Sequence, residues 1–296
     1  MQKILFLLAI IGAVGIEGLA QTKKHFMVEG NQTCEKVHFT LKAASGTCEI
    51  RTRSMGETPI TIMGNHNEEF ITSDFGNELE GETLHAWLNL KDNGNEGFSS
   101  KLSKIFGKKT TDSDNYWNIY FTDFKPYDLD LNYGVGKAYI DLSDIAVENC
   151  HITSGNAHVK VGYLSKLQNR IEMDTFSVSV DLGDIEIERI DMAKARNILA
   201  EVGFGSLVLD FDQQSQVAST IWARVGAGTL TINLPLEDAP VIVRMKDTSY
   251  RKLKLPEGFE KIRENIFVSS SYSPEAENVL TFNIDLSMGS VIFTNN

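Results

Sequence analysis

Apolar residues recur two and four positions after a glycine at widely separated points of this 296-residue chain. The sets are Gly46, Cys48, Ile50; Gly136, Ala138, Ile140; Gly155, Ala157, Val159; Gly205, Leu207, Leu209; Gly228, Leu230, Ile232; and Gly289, Val291, Phe293. Phe176, Val178 and Val180 keep the same frame with the glycine replaced. A period of two means a strand with one buried face. A strand of five or six residues cannot bury that face alone, whereas parallel stacking of successive units at ~4.8 Å builds one continuous core. The repeat therefore predicts an all-β chain wound as a β-solenoid, a parallel β-helix-like column of single-stranded rungs. Gly46, Gly136, Gly155, Phe176, Gly205, Gly228 and Gly289 mark equivalent rung positions. A second face shows in Leu129 and Leu131, Ile145 and Val147, Ile185 and Ile187, and Ile198 and Leu199, which precede the glycine strands at similar offsets. The glycines read as corners, where a Cβ would obstruct a neighbouring backbone or the chain needs φ > 0.

The rest of the chain is organised around this repeat. Lys3, the apolar run Ile4 to Ile16 and the small residues Gly18 and Ala20 read as a cleavable signal peptide over 1–20, too short to span a bilayer. Residues 21–128 read as N-terminal rungs, in which Leu84 to Leu90 and Trp117 to Phe121 form a hairpin around a mobile insertion at 91–116. The repeat solenoid occupies 129–245. Within it, Ala193 to Val202 contains good helix formers, but a bent solenoid corner accounts better for the longest repeat step. Residues 246–296 read as a return segment, with Val279 to Phe293 folding back as a capping strand that finishes one end of the stack.

Charge and cysteines narrow the function classes. With 28 Lys and Arg against 40 Asp and Glu the net charge is −12, which disfavours nucleic acid and anionic lipid as partners. In an oxidising compartment Cys34 and Cys48 are a possible disulfide, while Cys150 reads as an inert buried thiol. The glycine pairs at 134 and 136, 203 and 205, and 226 and 228 each lead into a strand, not the helix that a phosphate loop needs. The six histidines show no metal-ligand spacing, although His151 and His158 could approach across adjacent strands. Asp141, Lys160, Asp181, Asp210 and Asn233 follow the rung strands and read as a solvated ladder, with a carboxylate pair or calcium site among the aspartates as the sharper alternative. Tyr116, Trp117, Tyr120 and Tyr127 are available to stack on sugars or to pack the strands.

The stretch from Leu129 to Val243 resembles the "putative-adhesin" and "toast rack" domains of unknown function found in bacterial, Bacteroidetes-like envelope proteins. The likeness is carried by Leu129, Leu131, Gly134, Gly136 and Asp141-Leu142-Ser143, then Ile152, Gly155 and Val159, then Val202, Gly203, Gly205 and Asp210. It implies a short β-solenoid associated with the cell envelope and supplies no catalytic residues. Together these readings predict an exported, non-enzymatic β-solenoid, held in the periplasm, at the cell surface or secreted. It would be an adhesin-like or envelope-associated binding scaffold of unknown ligand, with no cofactor, metal or catalytic site. Its partner would be an envelope protein or a polysaccharide. The alternatives are a carbohydrate-active or carbohydrate-binding β-helix, and a regulatory partner of an envelope stress system.

Overall fold

The computed structural model describes residues 22–31, 33–53, 56–66, 68, 71–93, 115–235, 239–246 and 252–295. The leader expected at 1–20 and residues 94–114 of the expected insertion lie outside this set. The described chain is a β-solenoid whose two sheets enclose one core. Two long strands, β8 (Tyr127–Asp141) and β9 (Val147–Gly162), run through the corner from one sheet into the other. Every other rung is broken there, so a rung holds two strands instead of the single one expected. In sheet A these are β2 (Lys36–Ala43), β6 (Thr83–Asp92), β10 (Met173–Val180), β12 (Ala195–Val202), β14 (Ser219–Val225), β16 (Val241–Met245) and β20 (Leu280–Leu286). Their continuations in sheet B are β3 (Thr47–Thr52), β7 (Tyr116–Phe121), β11 (Asp184–Glu188), β13 (Ser206–Asp210), β15 (Thr229–Leu234), β17 (Leu253–Lys254) and β21 (Ser290–Asn295). Strand neighbours across rungs are parallel throughout this set.

Rung order departs from chain order at both ends, and in the same way. The first rung of the chain, β2 with β3, lies between the β6–β7 rung and β8. The last, β20 with β21, lies between the β14–β15 rung and the β16–β17 rung. Residues 280–295 therefore fold back as expected but enter the column one rung from its end instead of capping it. Antiparallel strands finish the ends. β5 (Ile71–Glu80) pairs with β6, while β1 (Thr22–Val28) pairs with β4 (Ile60–His66), itself paired with β7. At the other end β19 (Ile266–Ser269) joins β16 and carries β18 (Phe259–Arg263). The outer strands β5 and β18 expose Asp74, Glu78, Glu80, Glu260, Lys261 and Arg263, charges that discourage further strand addition. β6 and β7 are not a hairpin. They belong to opposite sheets, and each finds its antiparallel partner elsewhere.

Register reassigns two of the expected rung positions. Thr47, Lys137, His158, Asp184, Ser206, Thr229 and Ser290 lie side by side, so the residues before them, Gly46, Gly136, Ala157, Gly183, Gly205, Gly228 and Gly289, form the corner row. Gly155 aligns with Gly134 in a second row two residues earlier, and Phe176 aligns with Cys150 and Ile198 inside sheet A. Period two is blind to a shift of two, which displaces Gly155 from Ala157, and to the exchange of one strand of a rung for the other, which puts Phe176 of sheet A in the place of Gly183. The corner row is glycine because backbones meet there: a Cβ at Gly205 would lie 2.1 Å from the carbonyl oxygen of Gly183, and one at Gly228 2.2 Å from that of Gly205.

The opposite corners carry no glycine row. Side chains replace the missing ladder bonds. Buried Asn169 accepts from Val147 N–H at 2.8 Å and donates to the Val147 carbonyl at 2.7 Å, and Ser219 Oγ donates to the Ala195 carbonyl at 2.7 Å. A 3-10 turn, Ile190–Ala193, brings the chain into β12, so the helix-forming stretch from Ala195 onward is a strand. Between the sheets, like positions stack in files. Ile152, Val178 and Ala200 are register neighbours in sheet A, and Ile185, Leu207 and Leu230 in sheet B, all buried. One cluster of buried side chains runs from Val28 to Phe293, so the segments 21–128, 129–245 and 246–296 share a single core.

Each fully buried aliphatic residue in such a file contributes about 1.5–3 kcal/mol. Val178→Asp or Leu207→Asp places an unpaired carboxylate between two apolar neighbours, so neither variant is expected to give a cooperative thermal transition by circular dichroism. Gly205→Ala is expected to cost about 1–3 kcal/mol through overpacking. Gly56→Ala, whose Cβ meets nothing closer than 3.6 Å, serves as the control and is expected to melt close to the parent.

Candidate functional site

Two shallow depressions lie on the outer faces of the N-terminal rungs. Outward positions on adjacent strands form rows, so a depression opens where short side chains in one row are flanked by long ones in the next. On sheet B a trough of about 430 Å³ is lined by Thr47, Glu49, Tyr116, Asn118, Lys137 and Tyr139. Thr47 lies between Tyr116 and Lys137 in one row, and Glu49 lies between Asn118 and Tyr139 in the next. The two tyrosines thus stand diagonally across β3, two strand spacings and two residues apart, ~12 Å. Arg51 holds Glu49 at 2.9 Å, and the Arg53 guanidinium covers Tyr120 in the same sheet at 5.0 Å from the ring centroid. The arrangement offers ring faces and edges, an amide, a carboxylate and an ammonium within one concavity.

The sheet A depression, about 400 Å³, is lined by His38, Asp128, Asp130, Asn149 and His151, with Thr175 and Ser177 of β10 along one side. Its carboxylates are already engaged. Asp128 accepts from Asn149 Nδ2 at 2.8 Å and pairs with Lys36 at 3.1 Å, while Asp130 accepts from Asn132 Nδ2 at 2.8 Å. Lys36 also reaches Glu148 at 2.5 Å, and these bonds raise its pKa. The ammonium ties the β2, β8 and β9 rungs together.

The aspartates singled out by sequence do not converge. Asp141 and Asp210 end strands of sheet B, in a row completed by Gly162, Glu188 and Asn233. Asp181 sits at the opposite end, at the glycine corner, aligned between Gly155 and Gly203. Asp141 does not belong to a solvated ladder: its Oδ1 accepts from Ser143 N–H at 3.0 Å, Ser143 Oγ at 2.5 Å and Leu164 N–H at 3.1 Å, fastening the turn after β8. Lys160 belongs to the neighbouring row and reaches Glu188 at 2.6 Å and Glu186 at 3.6 Å, the Glu188 bond being the main reason its pKa is raised. His151 and His158 share β9 but face outward from opposite sheets, and His158 pairs with Asp184. Among the described residues no group of three or more His, Cys, Asp or Glu is placed to hold a metal ion.

Cys34 and Cys48 are buried free thiols. The eight residues of β2 carry the chain about 27 Å away from Cys34 before the corner leads to Cys48, so the two lie towards opposite ends of one rung, beyond the Cα separation a disulfide tolerates. Burial pushes the Cys48 and Cys150 thiols up to about 12, leaving both protonated. Of the aromatics noted in the sequence, Trp117 and Tyr127 are wholly buried, and Tyr116 and Tyr120 face solvent in part. Tyr139, the second wall of the trough, was not singled out. Its signal was its outward parity in β8, visible only once the strand frame is known.

One buried acid stands apart from the surface. Asp191, in the 3-10 turn, accepts from Asp212 N–H at 2.9 Å. Burial pushes its pKa up from 3.8 to about 6, against the lowering effect of backbone hydrogen bonds. The folded state therefore binds this proton more tightly than the unfolded chain. Its stabilising contribution is present below pH ~4 and is lost as pH rises through about 6. Asp191→Asn keeps the acceptor oxygen and removes the titration. Melting temperatures from pH 4 to 7 are expected to rise for the variant relative to the parent, with the gap widening toward pH 7.

Part of the chain matches a known family, and several solved structures are similar to it. Residues 54–188 match the family described as the N-terminal domain of toast_rack, DUF2154. The match runs from just before β4 through β11, beginning and ending earlier than the 129–243 stretch that carries the likeness in sequence. A comparison with curated proteins found no match. Among solved structures, the chain is similar to a "putative cell adhesion protein" from Clostridium sporogenes at 16% identity and a TM-score of 0.45, covering 94% of this chain and 100% of that one. It is also similar to a "putative adhesin" from Bacteroides fragilis at 9% identity and a TM-score of 0.33, covering 94% and 98%. Another "putative adhesin", from Parabacteroides merdae, aligns at 10% identity and a TM-score of 0.30, covering 92% and 95%. Among the described residues no helix is long and apolar enough to cross a membrane.

Proposed function

We propose that this protein is an exported, non-enzymatic binding scaffold of the cell envelope, adhesin-like in character, that contacts a neutral saccharide through the sheet B trough. The observation that carries the reading is the placement of Tyr116 and Tyr139 across the Thr47–Glu49 floor. A pyranose presents apolar C–H faces to aromatic rings and hydroxyls to amide, carboxylate and ammonium groups, and the trough supplies both kinds of partner. The column behind it is suited to display and not to turnover. Its recurrent residues serve stacking, and the three aspartates do not converge: Asp141 and Asp210 share a row but stand three rungs apart, and Asp181 lies at the opposite strand end. Export rests on the charged, apolar and small-residue pattern of 1–20.

Glycan-array binding followed by calorimetry on the best ligand tests this reading. Tyr116→Ala and Tyr139→Ala are each expected to weaken binding roughly 10-fold or more, about 1.4 kcal/mol, with unchanged melting temperatures, because both side chains are partly solvent-facing. Binding that survives both substitutions, or hydrolysis of the bound glycan, would end the proposal. N-terminal sequencing of protein from fractionated cells checks export, and the expected first residue is Gln21.

A further inference from the structure

The tips of the glycine corners form a second surface, distinct from both depressions. On four consecutive rungs the apex residues are Leu182, Phe204, Ala227 and Met288, aligned by bonds from Phe204 N–H to the Asp181 carbonyl, from Ala227 N–H to that of Gly203 and from Met288 N–H to that of Gly226. Three of them are large and strongly exposed: Leu182 at 63%, Phe204 at 72% and Met288 at 70%. At one rung per ~4.8 Å this is an apolar ridge about 14 Å long. A tight turn does not need large apolar side chains at its tip, and on other rungs the same position holds the smaller Ser45, Val135 and Asn156.

We propose that the ridge is the interface of a homodimer in which a second copy packs antiparallel, ridge to ridge, about a two-fold axis between the Phe204 and Ala227 rungs. The occupant follows from the order of residues. Reversing Leu, Phe, Ala, Met sets Phe204 of each copy against the notch left by Ala227 of the other, and Leu182 against Met288. Charge obeys the same symmetry. On the sheet A flank of the two central rungs stand Glu201 and Arg224, 3.1 Å apart within one chain and both exposed. The two-fold makes each Glu201 and the second copy's Arg224 counterparts on the same side of the seam, each three residues back from its tip, so the facing flanks are opposite in charge. The sheet B flank of those rungs carries only Ser206 and Thr229. Such reciprocity, residue i meeting j while j meets i, is the signature of an isologous interface. A parallel pairing would instead bring Phe204 against Phe204 and sheet A flanks against sheet B flanks, losing the charge match. The ridge is narrow, so the contact falls at the low end of specific interface sizes and the dimer dissociates on dilution.

Sedimentation equilibrium of the purified protein tests this without reference to any glycan. The expected result is a concentration-dependent monomer–dimer equilibrium. Phe204→Asp and Ala227→Phe are each expected to shift it to monomer with unchanged melting temperature. Glu201→Arg or Arg224→Glu alone should weaken the dimer at least 10-fold, and the double reversal should restore it. Under oxidation the double variant Leu182→Cys, Met288→Cys is expected to cross-link into covalent dimers, while either single variant does not, since like positions lie three rungs apart. A protein monomeric at all concentrations, a dimer indifferent to Phe204→Asp, or cross-linking by Leu182→Cys alone would overturn the proposal. So would binding to phosphatidylcholine vesicles without self-association, which would assign the ridge to lipid.

Discussion

Backbone contact at the glycine corner is the constraint on which the rest of the structure depends. A rung can pass directly over the next only if the carbonyl oxygen below has room, and at Gly183, Gly205, Gly228 and Gly289 that oxygen occupies the space of a Cβ. Close passage at the corner keeps the rungs in register, and register brings Val178 over Ile152 and Leu207 over Ile185. The need is for space more than for unusual dihedrals, since among the corner row only Gly46 and Gly136 have φ in the left-handed half, at +111° and +119°. Ala157 is the exception that defines the rule. Its own methyl is accommodated, and its carbonyl lies 2.3 Å from a Cβ at Gly183, so the requirement passes to the rung above.

Much of this was legible in the sequence because parallel stacking converts alternation within a strand into identity between strands. The inward parity of β10, β13 and β15 is the parity read from Phe176, Leu207 and Leu230. The misplacement of Gly155 and Phe176 comes from the same source. Each rung holds two strands of equal period and a corner with two candidate residues, so a slip of two, or of a whole strand, leaves the pattern intact. Gly183 was the discriminating residue, and it was hidden because Asp181-Leu182-Gly183 lacks the first glycine of the pair. The far corners were illegible for a different reason: Asn169, Asp141 and Ser219 substitute for backbone by local geometry that has no period.

Rung order at the two ends was beyond any pattern reading. A strand with the right parity fits equally well over any rung, so nothing in residues 280–295 distinguishes the outermost position from the one beneath. What decides between them is the cost of an unpaired edge. Keeping apolar β20 and β21 inside and leaving the outside to charged, antiparallel β18 satisfies more backbone groups and presents a poorer template to other chains. The N-terminal end reaches the same solution, with β2 and β3 enclosed and charged β5 outermost. Two ends with unrelated sequences share one device because they face one problem.

The candidate contact surfaces use what stacking leaves free. Inward positions are committed to the core and strand edges to hydrogen bonding, so only outward rows and corner tips can vary without loss of the column. The tyrosine trough takes an outward row, and the apolar ridge takes the tips. A two-fold through the ridge that keeps the Glu201 and Arg224 flanks together also keeps both sheet B faces on one side, so two troughs would look the same way. Paired troughs would make a second contact with a repeating glycan intramolecular, with the gain in avidity set by the match between trough spacing and glycan repeat. A shallow, solvent-open trough binds weakly alone. Doubling it would strengthen attachment without deepening the site, and a stacked column can be duplicated at its tips at no expense to its core.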